Sequence, residues 1–427
     1  MNLKIMKEKL VDKRTGIIKS LVREEHIIGT IPMHTTLALR NTVIDDELNI
    51  VVPCISTGLG ADFFSIEASE KAAIGETIER YSSTVVESEI LYGSYKELLV
   101  NKNVLNPCEV TRISDDQVKK LGLNYLKIDD STNFRWIKGI DLVEREEIWL
   151  PTDLVYLCPF FNNDFPIRDI VSTGLATGSS WEDATSRGLL ECIERDAIVI
   201  MWQNKLEFPT IDLSSIKNKK ILDSIKLINS MNLQVTILDI TTDINVPTYF
   251  TLIKSNRVPF LSVGASCHFN PLIALYKSIN EAAAQYNCSV KKVVNNQLHH
   301  NFNSTIDTME AHSDYFALNQ IELINEDLSF LFKGKRIDFK EKNSNTINNY
   351  SDLINRLDEL GIKTYSIDLT TSDIRSVGLH VVRVVAPRLA FLEVSIPLLN
   401  CKRIYEVPNK LGYKFSDNLN NMMHPFP

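Results

Sequence analysis

One short pattern occurs twice in this chain, and it constrains the fold more than any other feature of the sequence. The segment STGLG at residues 56–60 is followed by ETIER at residues 76–80, and STGLA at residues 172–176 is followed by ECIER at residues 191–195. The distance from the serine to the first glutamate is 20 residues in the first copy and 19 in the second. Each copy therefore predicts a turn that leads into a helix ending in Glu-x-x-Glu-Arg.

The two glutamates of each copy lie three residues apart. Residues at this spacing share one face of a helix, so Glu76 projects beside Glu79, and Glu191 beside Glu194. Neighbouring carboxylates repel each other, which predicts a compensating cation. If the two helices face each other, four carboxylates converge, and an oxygen cluster of this kind suits Mg²⁺ shared with substrate phosphates. Arg195, which follows the second pair, can contact phosphate oxygens or bridge the carboxylates.

A simpler interpretation is that Glu-x-x-Glu-Arg is a solvated helix face with local ion pairs. It explains a single copy more easily than two copies that each follow the same Ser-Thr-Gly-Leu turn. No Walker loop, G-x-G-x-x-G, G-x-S-x-G or H-E-x-x-H pattern occurs in the 427 residues. The sequence therefore offers no standard phosphate loop, nucleophile elbow or zinc site.

Helical and strand-like stretches alternate along the chain, which predicts an α/β or α+β architecture. Three long helices are expected. The first ends near Tyr81, the second lies within residues 172–205, and the third covers about residues 272–286. A length of 427 residues allows two or three domains, but no Ser/Gly-rich linker separates them, so a single large domain is favoured.

Composition excludes several classes of function. No apolar run approaches the ~18 residues that cross a bilayer. The net charge of −8 argues against a nucleic-acid-binding surface. The seven cysteines are scattered and odd in number, which is typical of reduced thiols in a cytoplasmic protein.

Longer segments around the two copies resemble the YcaO superfamily of ATP-dependent enzymes that modify peptide backbones. The first family block is similar to SIEASEKAAIGETIERYSS at residues 65–83, and the second to STGLATGSSWEDATSRGLLECIERDA at residues 172–197. The resemblance runs from about residue 51 to the end of the sequence. Weaker similarities lie at residues 136–142, 264–271, 280–285 and 381–387.

This resemblance implies an ATP site without a phosphate loop. Four glutamates would bind Mg²⁺ in it, namely Glu76, Glu79, Glu191 and Glu194. The nucleotide contacts would come from the same four glutamates and from Asp183, Arg195, Glu281, Gln285 and Arg383. Two positions depart from the family pattern, because Ala72 stands where a serine is common and Leu59 where a lysine is common. These departures concern single nucleotide contacts rather than the carboxylate cluster.

The last five residues, MHPFP at 423–427, are similar to the Pro-x-Pro-x-Pro tail of azoline-forming members, with Met423 in place of the first proline. Prolines two apart favour an extended segment that loses little freedom on docking. In such members the tail reaches the active site, which implies that the Pro427 carboxylate is a catalytic general base. The alternative is a frayed end without function. The expected divisions are a lead-in (1–50), a catalytic domain (51–412) and a tail (413–427).

The activity implied by the resemblance is cyclodehydration of a ribosomally made precursor peptide. A Cys, Ser or Thr side chain attacks the preceding carbonyl, ATP phosphorylates the resulting oxygen, and loss of phosphate leaves a thiazoline or an oxazoline. The expected cofactors are ATP and Mg²⁺. The expected partners are the precursor peptide, a separate leader-binding subunit, a second copy in a homodimer and, where azolines are oxidised, a flavin-dependent dehydrogenase. The leader-binding subunit is expected because the residues before 51 leave no room for such a domain.

Two alternatives stay open. With sulfide or an amine as the nucleophile, the same ATP chemistry would give a thioamide or an amidine ring. A degenerate domain of this family would instead be a non-catalytic scaffold or leader-binding subunit, although the intact set of four glutamates argues against it.

Overall fold

The computed structural model of the protein describes residues 3–41, 43–45, 50–52, 57–122, 127–157, 167–298, 309–319, 328–341, 346–393, 396–415, 418–420 and 422–426. Within these ranges, helices and strands alternate in a mixed α/β (α+β) fold, as predicted. The helices are α1 (Leu3–Leu10), α2 (Ile66–Ser82), α3 (Tyr95–Leu98), α4 (Asp115–Leu121), α5 (Trp181–Gln203), α6 (Lys219–Ser230), α7 (Pro271–Val294), α8 (Met309–Leu318), α9 (Tyr350–Glu359), α10 (Ser372–Ser376) and α11 (Lys402–Lys410).

The strands form three larger sheets and one hairpin-like pair. The first sheet has the order β1-β2-β5, the second β6-β7-β15-β16-β9 with β8 on β7, and the third β13-β12-β11-β10-β14. The short strands β3 and β4 pair with each other. The strands are β1 (Ile18–Arg23), β2 (His34–Arg40), β3 (Val43–Asp45), β4 (Ile50–Val52), β5 (Gly58–Asp62), β6 (Ile90–Ser94), β7 (Asn133–Asp141), β8 (Glu147–Pro151), β9 (Leu175–Gly178), β10 (Thr210–Asp212), β11 (Gln234–Asp239), β12 (Thr248–Lys254), β13 (Leu261–Cys267), β14 (Arg336–Asp338), β15 (Tyr365–Asp368) and β16 (His380–Val385).

Three strand–helix units make up the centre of the protein. In each unit the helix packs on the strand that precedes it: α2 on β5, α5 on β9, and α7 on β13. Each helix also contacts the strand of the next unit, since α2 touches β9, α5 touches β13, and α7 touches β5. The third contact returns to the first unit, so the units close into a ring. Because the sheets share helices in this way, the protein forms a single domain, as predicted.

Cap residues define where the three central helices begin, and glycines let the helices pack close to their strands. Ser65, Ser180 and Asn270 each cap one of the three helices by accepting a backbone N–H of its first turn. Glycine in the strand then allows close packing. A Cβ atom at Gly60 would lie 1.8 Å from a backbone oxygen of α2, and one at Gly264 would lie 2.3 Å from a backbone nitrogen of α7.

The two helices predicted from the repeated pattern are confirmed as α2 and α5, and the helix predicted at about 272–286 is two turns longer. The extension of α7 has a tertiary cause. The Asn287 amide accepts the N–H of Ile31 and donates to the Ile31 carbonyl, which ties this part of α7 to a segment 256 residues away. A contact at that distance in sequence leaves no local signal.

Residues 1–50 were predicted to be an N-terminal lead-in. Strand β2 in this segment pairs directly with strand β5 of the first unit. Strand β2 lies between β1 and β5, with Leu37 opposite Leu59. The pairing therefore crosses residue 50, and the predicted boundaries at 50 and 412 stay predictions. No helix among the described residues combines the length and apolar character needed to cross a membrane.

Candidate active site

Each of the three central helices holds one glutamate against a backbone N–H of its own unit. This contact fixes one carboxylate oxygen and satisfies a backbone N–H in, or next to, the strand on which the helix packs. The pairs are Glu76 Oε2 with Leu59 N (2.6 Å), Glu191 Oε2 with Gly174 N (3.2 Å) and Glu281 Oε2 with Ala265 N (2.7 Å). The side chain of Leu59, which departs from the family pattern, takes no part in this contact.

The second glutamate of α2 and of α5 reaches the next unit instead. Glu79 Oε1 accepts the N–H of Thr177 on β9 at 2.7 Å, and Glu194 Oε2 accepts the N–H of Cys267 on β13 at 3.0 Å. In this way the two predicted glutamate pairs join all three units. The side chains of both pairs are half-buried, since Glu76, Glu191 and Glu194 keep 31%, 27% and 12% of their surface exposed.

The five carboxylates act on one another electrostatically. Burial, together with the charges of Glu191 and Glu76, raises the pKa of Glu79 to about 8. Burial, reinforced by Glu194, raises the pKa of Glu191 to about 7. Burial raises the pKa of Glu281 to about 8, with added repulsion from Glu194 and Glu191. Burial also raises the pKa of Glu194.

Cations surround the cluster but do not neutralise it. Arg80 Nη2 donates to Glu76 Oε1 at 2.5 Å, so this arginine bridges within its own helix. Arg195 lies 3.8 Å from Glu191 Oε1 and 4.0 Å from Glu194 Oε1, which are ion-pair rather than hydrogen-bond distances. Carboxylates that stay partly protonated at neutral pH indicate a site that requires a further cation.

The donor set fits Mg²⁺, which prefers carboxylate oxygens. Within the described residues, no group of three His, Cys, Asp or Glu side chains is arranged to hold a metal ion by itself. Mg²⁺ does not need such a cage, because it is commonly held by one or two carboxylates together with substrate phosphates and water. Glu79, Glu191, Glu194 and Glu281 suit this role, because in each of them one oxygen is fixed by a backbone N–H.

We predict that the metal-free, nucleotide-free protein becomes less stable as the pH rises from about 6.5 to about 8. The pKa values of Glu79 and Glu281 are raised from 4.5 to about 8, so the folded protein holds protons that the unfolded chain has lost. Stability then falls until the pH passes the folded pKa. The interval starts at 6.5 because burial lowers the pKa of His268 to about 4, which acts in the opposite sense below that pH.

The measurement is the melting temperature in EDTA across this pH interval. Glu79→Gln should flatten the slope, because it removes one of the titrating groups. A wild-type melting temperature that rises or stays level from pH 6.5 to 8 would contradict the prediction.

The other predicted site residues lie at the edge of the cluster or outside it. Asp183 sits two turns before Glu191, where it accepts Ser179 N and Arg187 Nε (2.9 Å each) and stabilises the start of α5. Arg383 is buried and donates to two backbone carbonyls, at 3.2 and 2.7 Å. Its charge also lowers the pKa of Glu191. Pro427 lies outside the described residues.

Gln285 connects α7 to the tail, the name used here for residues 413–427. Its Oε1 accepts Val263 N at 2.6 Å, and its Nε2 donates to Pro425 O at 3.3 Å. Both ends of the amide are therefore engaged by the protein itself. The tail is brought to the same region as the carboxylate cluster.

Lys277 of α7 was not among the predicted site residues. It lies one turn before Glu281, and burial lowers the pKa of its ammonium group, an effect that the charges of Glu194 and Glu281 offset in part. The only signal that could have found it is the i, i+4 spacing from Glu281, which is common on helices of every kind.

Known proteins are similar to this chain in sequence over much of its length. A family model described as YcaO cyclodehydratase, ATP- and Mg²⁺-binding, matches residues 63–390, well over half of the chain. A protein of Rhizobium leguminosarum bv. trifolii, described only as an uncharacterised protein in the tfuA 3′ region, is 24% identical over 229 residues, covering 51% of this chain and 52% of that protein. The chain spans about half the length of the curated relatives it matches.

Three solved structures share the fold at low sequence identity. A heterocyclase in complex with substrate and cofactor has a TM-score of 0.73 and 20% identity, covering 99% of this chain and 57% of that chain. The E. coli microcin synthetase McbBCD complex with pro-MccB17 bound has a TM-score of 0.68 and 16% identity, covering 98% and 99%. YcaO from Methanopyrus kandleri, bound with AMPPCP and Mg²⁺, has a TM-score of 0.63 and 16% identity, covering 91% and 88%.

Proposed function

The chain belongs to the YcaO family of ATP- and Mg²⁺-binding cyclodehydratases, and from this premise we propose that it forms azolines in a ribosomally made precursor peptide. The substrate residues are Cys, Ser or Thr, and the products are thiazolines or oxazolines. One observation supports the proposal most directly. The half-buried glutamates of α2, α5 and α7 act on one another electrostatically, while each is held by a backbone N–H.

This cluster argues against a scaffold without activity. Buried carboxylates that repel one another oppose folding unless a ligand compensates them. A scaffold would gain stability from apolar residues at the same positions. The presence of five mutually repelling glutamates is therefore best explained by a bound cation and a nucleotide.

The reaction requires ATP because an amide oxygen is a poor leaving group. The substrate Sγ or Oγ forms a bond to the preceding carbonyl carbon and loses its proton, and the oxygen takes up the electron pair of the C=O π bond. That oxygen then accepts the γ-phosphoryl group of ATP, with ADP as the other product. The C–O bond breaks with loss of the amide proton, which gives the C=N bond of the azoline and inorganic phosphate.

The chain itself contributes positioning and charge to this reaction. Glu76, Glu79, Glu191 and Glu194 would hold Mg²⁺, which when bound neutralises charge on the phosphates. Arg195 projects at the cluster with donors available for phosphate oxygens. Glu281 and Lys277 extend the polar lining on α7.

Further assignments rest on the family resemblance. They are nucleotide contacts from Asp183, Gln285 and Arg383, and the Pro427 carboxylate as general base. For Asp183, Gln285 and Arg383, the hydrogen bonds within the protein favour a positioning role. The tail that carries Pro427 reaches the site through Pro425.

We propose that the substrate and partners are those of a heterocyclase assembly. The structural neighbours include a heterocyclase with its substrate and the McbBCD complex with pro-MccB17 bound, which support a precursor peptide and partner subunits. We further propose a separate leader-binding subunit, a homodimer and, where azolines are oxidised to azoles, a flavin-dependent dehydrogenase.

The test combines the chain with Mg²⁺, ATP, a Cys/Ser/Thr-containing precursor and its leader-binding partner. We expect phosphate release together with the loss of one water from the peptide for each ring. Replacement of oxygen by sulfur in the peptide mass would instead identify a thioamide-forming enzyme. Binding of the precursor without any phosphate release would identify a scaffold. Either result would overturn the proposal.

A further inference from the structure

Arg195 is a mostly buried cation with unused hydrogen-bond donors. Its Nε and Nη1 atoms are buried and have no hydrogen-bond partner in the described part of the chain. The nearest carboxylate oxygens, on Glu191 and Glu194, lie at 3.8 and 4.0 Å. A guanidinium that is not hydrogen-bonded to these acids needs another contact to fix its orientation.

That contact is an aromatic ring from the tail. The guanidinium carbon of Arg195 lies 4.5 Å from the centroid of the Phe426 ring. The ring is buried, with 1% of its surface exposed, and it also packs against Phe250 of β12 with 6.2 Å between centroids. A cation over the face of a desolvated ring is held more strongly than one at an exposed site.

Three residues that precede Phe426 hold the tail in place. Gln285 of α7 donates to the carbonyl of Pro425, and Trp202 of α5 donates its indole N–H to the carbonyl of Met422 at 2.9 Å. His424 Nε2 donates to a backbone carbonyl at 2.8 Å. These contacts place the ring against Arg195 by way of α5 and α7, two of the three helices that supply the glutamates.

We propose that Phe426 is a positioning residue for the nucleotide site. The ring covers one face of the Arg195 guanidinium, and the side chain keeps 16% of its surface exposed, where a phosphate oxygen of ATP can reach it. Stacking in this way restricts rotation of the guanidinium without using any of its donors. The inference rests on the proposed function, because it takes the ligand of Arg195 to be the nucleotide. It assigns a role to a tail residue that lies between the two prolines rather than to the prolines themselves.

The test is titration of the full chain with AMPPCP and Mg²⁺ by calorimetry. Phe426→Leu keeps an apolar side chain and removes the ring face, and it should weaken binding by about 5- to 30-fold. Phe426→Tyr, which retains the ring, should restore affinity to within about threefold of the wild type. In an Arg195→Met background, Phe426→Leu should cause no further loss, because the stacked cation is already absent.

The matched control is Phe415→Leu, a tail variant whose ring packs on Tyr405 instead, and its affinity should equal that of the wild type. If Phe426→Leu binds AMPPCP as tightly as the wild type, or if its loss of affinity persists in the Arg195→Met background, the inference is overturned and the proposed function stands. If the wild-type chain binds no AMPPCP with Mg²⁺, the proposed function fails and this inference fails with it.

Discussion

Glu191→Gln should reduce ATP-dependent turnover by on the order of 10³-fold, while the metal-free protein stays at least as stable as the wild type. Glutamine keeps the size of the side chain and can still accept the N–H of Gly174, so the local fold is retained. It removes one negative charge from a cluster whose members repel one another, since burial and Glu194 raise the pKa of Glu191 to about 7. The charge that opposes folding is the same charge that binds the cation.

The assay is phosphate release with ATP, Mg²⁺, precursor and partner, together with a melting temperature measured in EDTA. Glu182→Gln is a matched control, because Glu182 is an exposed glutamate in the first turn of the same helix. The control should keep near-normal turnover. Normal turnover by Glu191→Gln would remove the metal-site assignment. Lost turnover with a lowered melting temperature would show a structural defect instead.

The features of the site that could be predicted are those that depend only on residues close together in the sequence. The i, i+3 spacing of Glu76 with Glu79, and of Glu191 with Glu194, places each pair on one helix face whatever the rest of the chain does. The shared turn before each helix indicated two related units. For these features, the spacing of the residues along a helix is enough to predict which side chains lie on the same face.

The third unit escaped prediction because its sequence differs from the repeated pattern. Helix α7 has Glu281 followed by Gln285 at i+4, without a second glutamate at i+3 or a following arginine. Its strand, β13, runs from Leu261 to Cys267 and lacks the Ser-Thr-Gly-Leu segment of the other two units. Only the fold reveals that Ala265 N meets Glu281 in the same way as Leu59 N meets Glu76.

Contacts between units cannot be predicted from local pattern at all. Thr177 lies 98 residues from Glu79, and Cys267 lies 73 residues from Glu194. In both, the donor is a backbone N–H, which every residue except proline carries. The residue types at positions 177 and 267 therefore give no indication of these hydrogen bonds.

A second cluster, made of Arg403 and two buried aspartates, also joins distant parts of the chain and could not be predicted from local sequence. Asp196, next to Arg195 in α5, is fully buried and receives Arg403 of α11 in a two-point contact, with Nε–Oδ1 and Nη2–Oδ2 distances of 2.9 and 2.7 Å. Arg403 Nη2 also donates to Asp243 Oδ1 at 2.7 Å. One guanidinium thus compensates two buried carboxylates that come from different parts of the chain.

Arg403→Met should lower the free energy of unfolding by about 3–5 kcal/mol, because it leaves two buried carboxylates without their main partner. Chemical denaturation of the full chain measures this change. Arg388→Met is the control, since Arg388 pairs with Glu109 where both side chains are about half exposed, at 54% and 48%, and such pairs contribute at most about 1 kcal/mol. Adding Asp196→Asn and Asp243→Asn to Arg403→Met should recover most of the loss, because no uncompensated charge then remains. If Arg403→Met changes stability no more than Arg388→Met does, the cluster does not anchor α11 to the helix that carries Arg195.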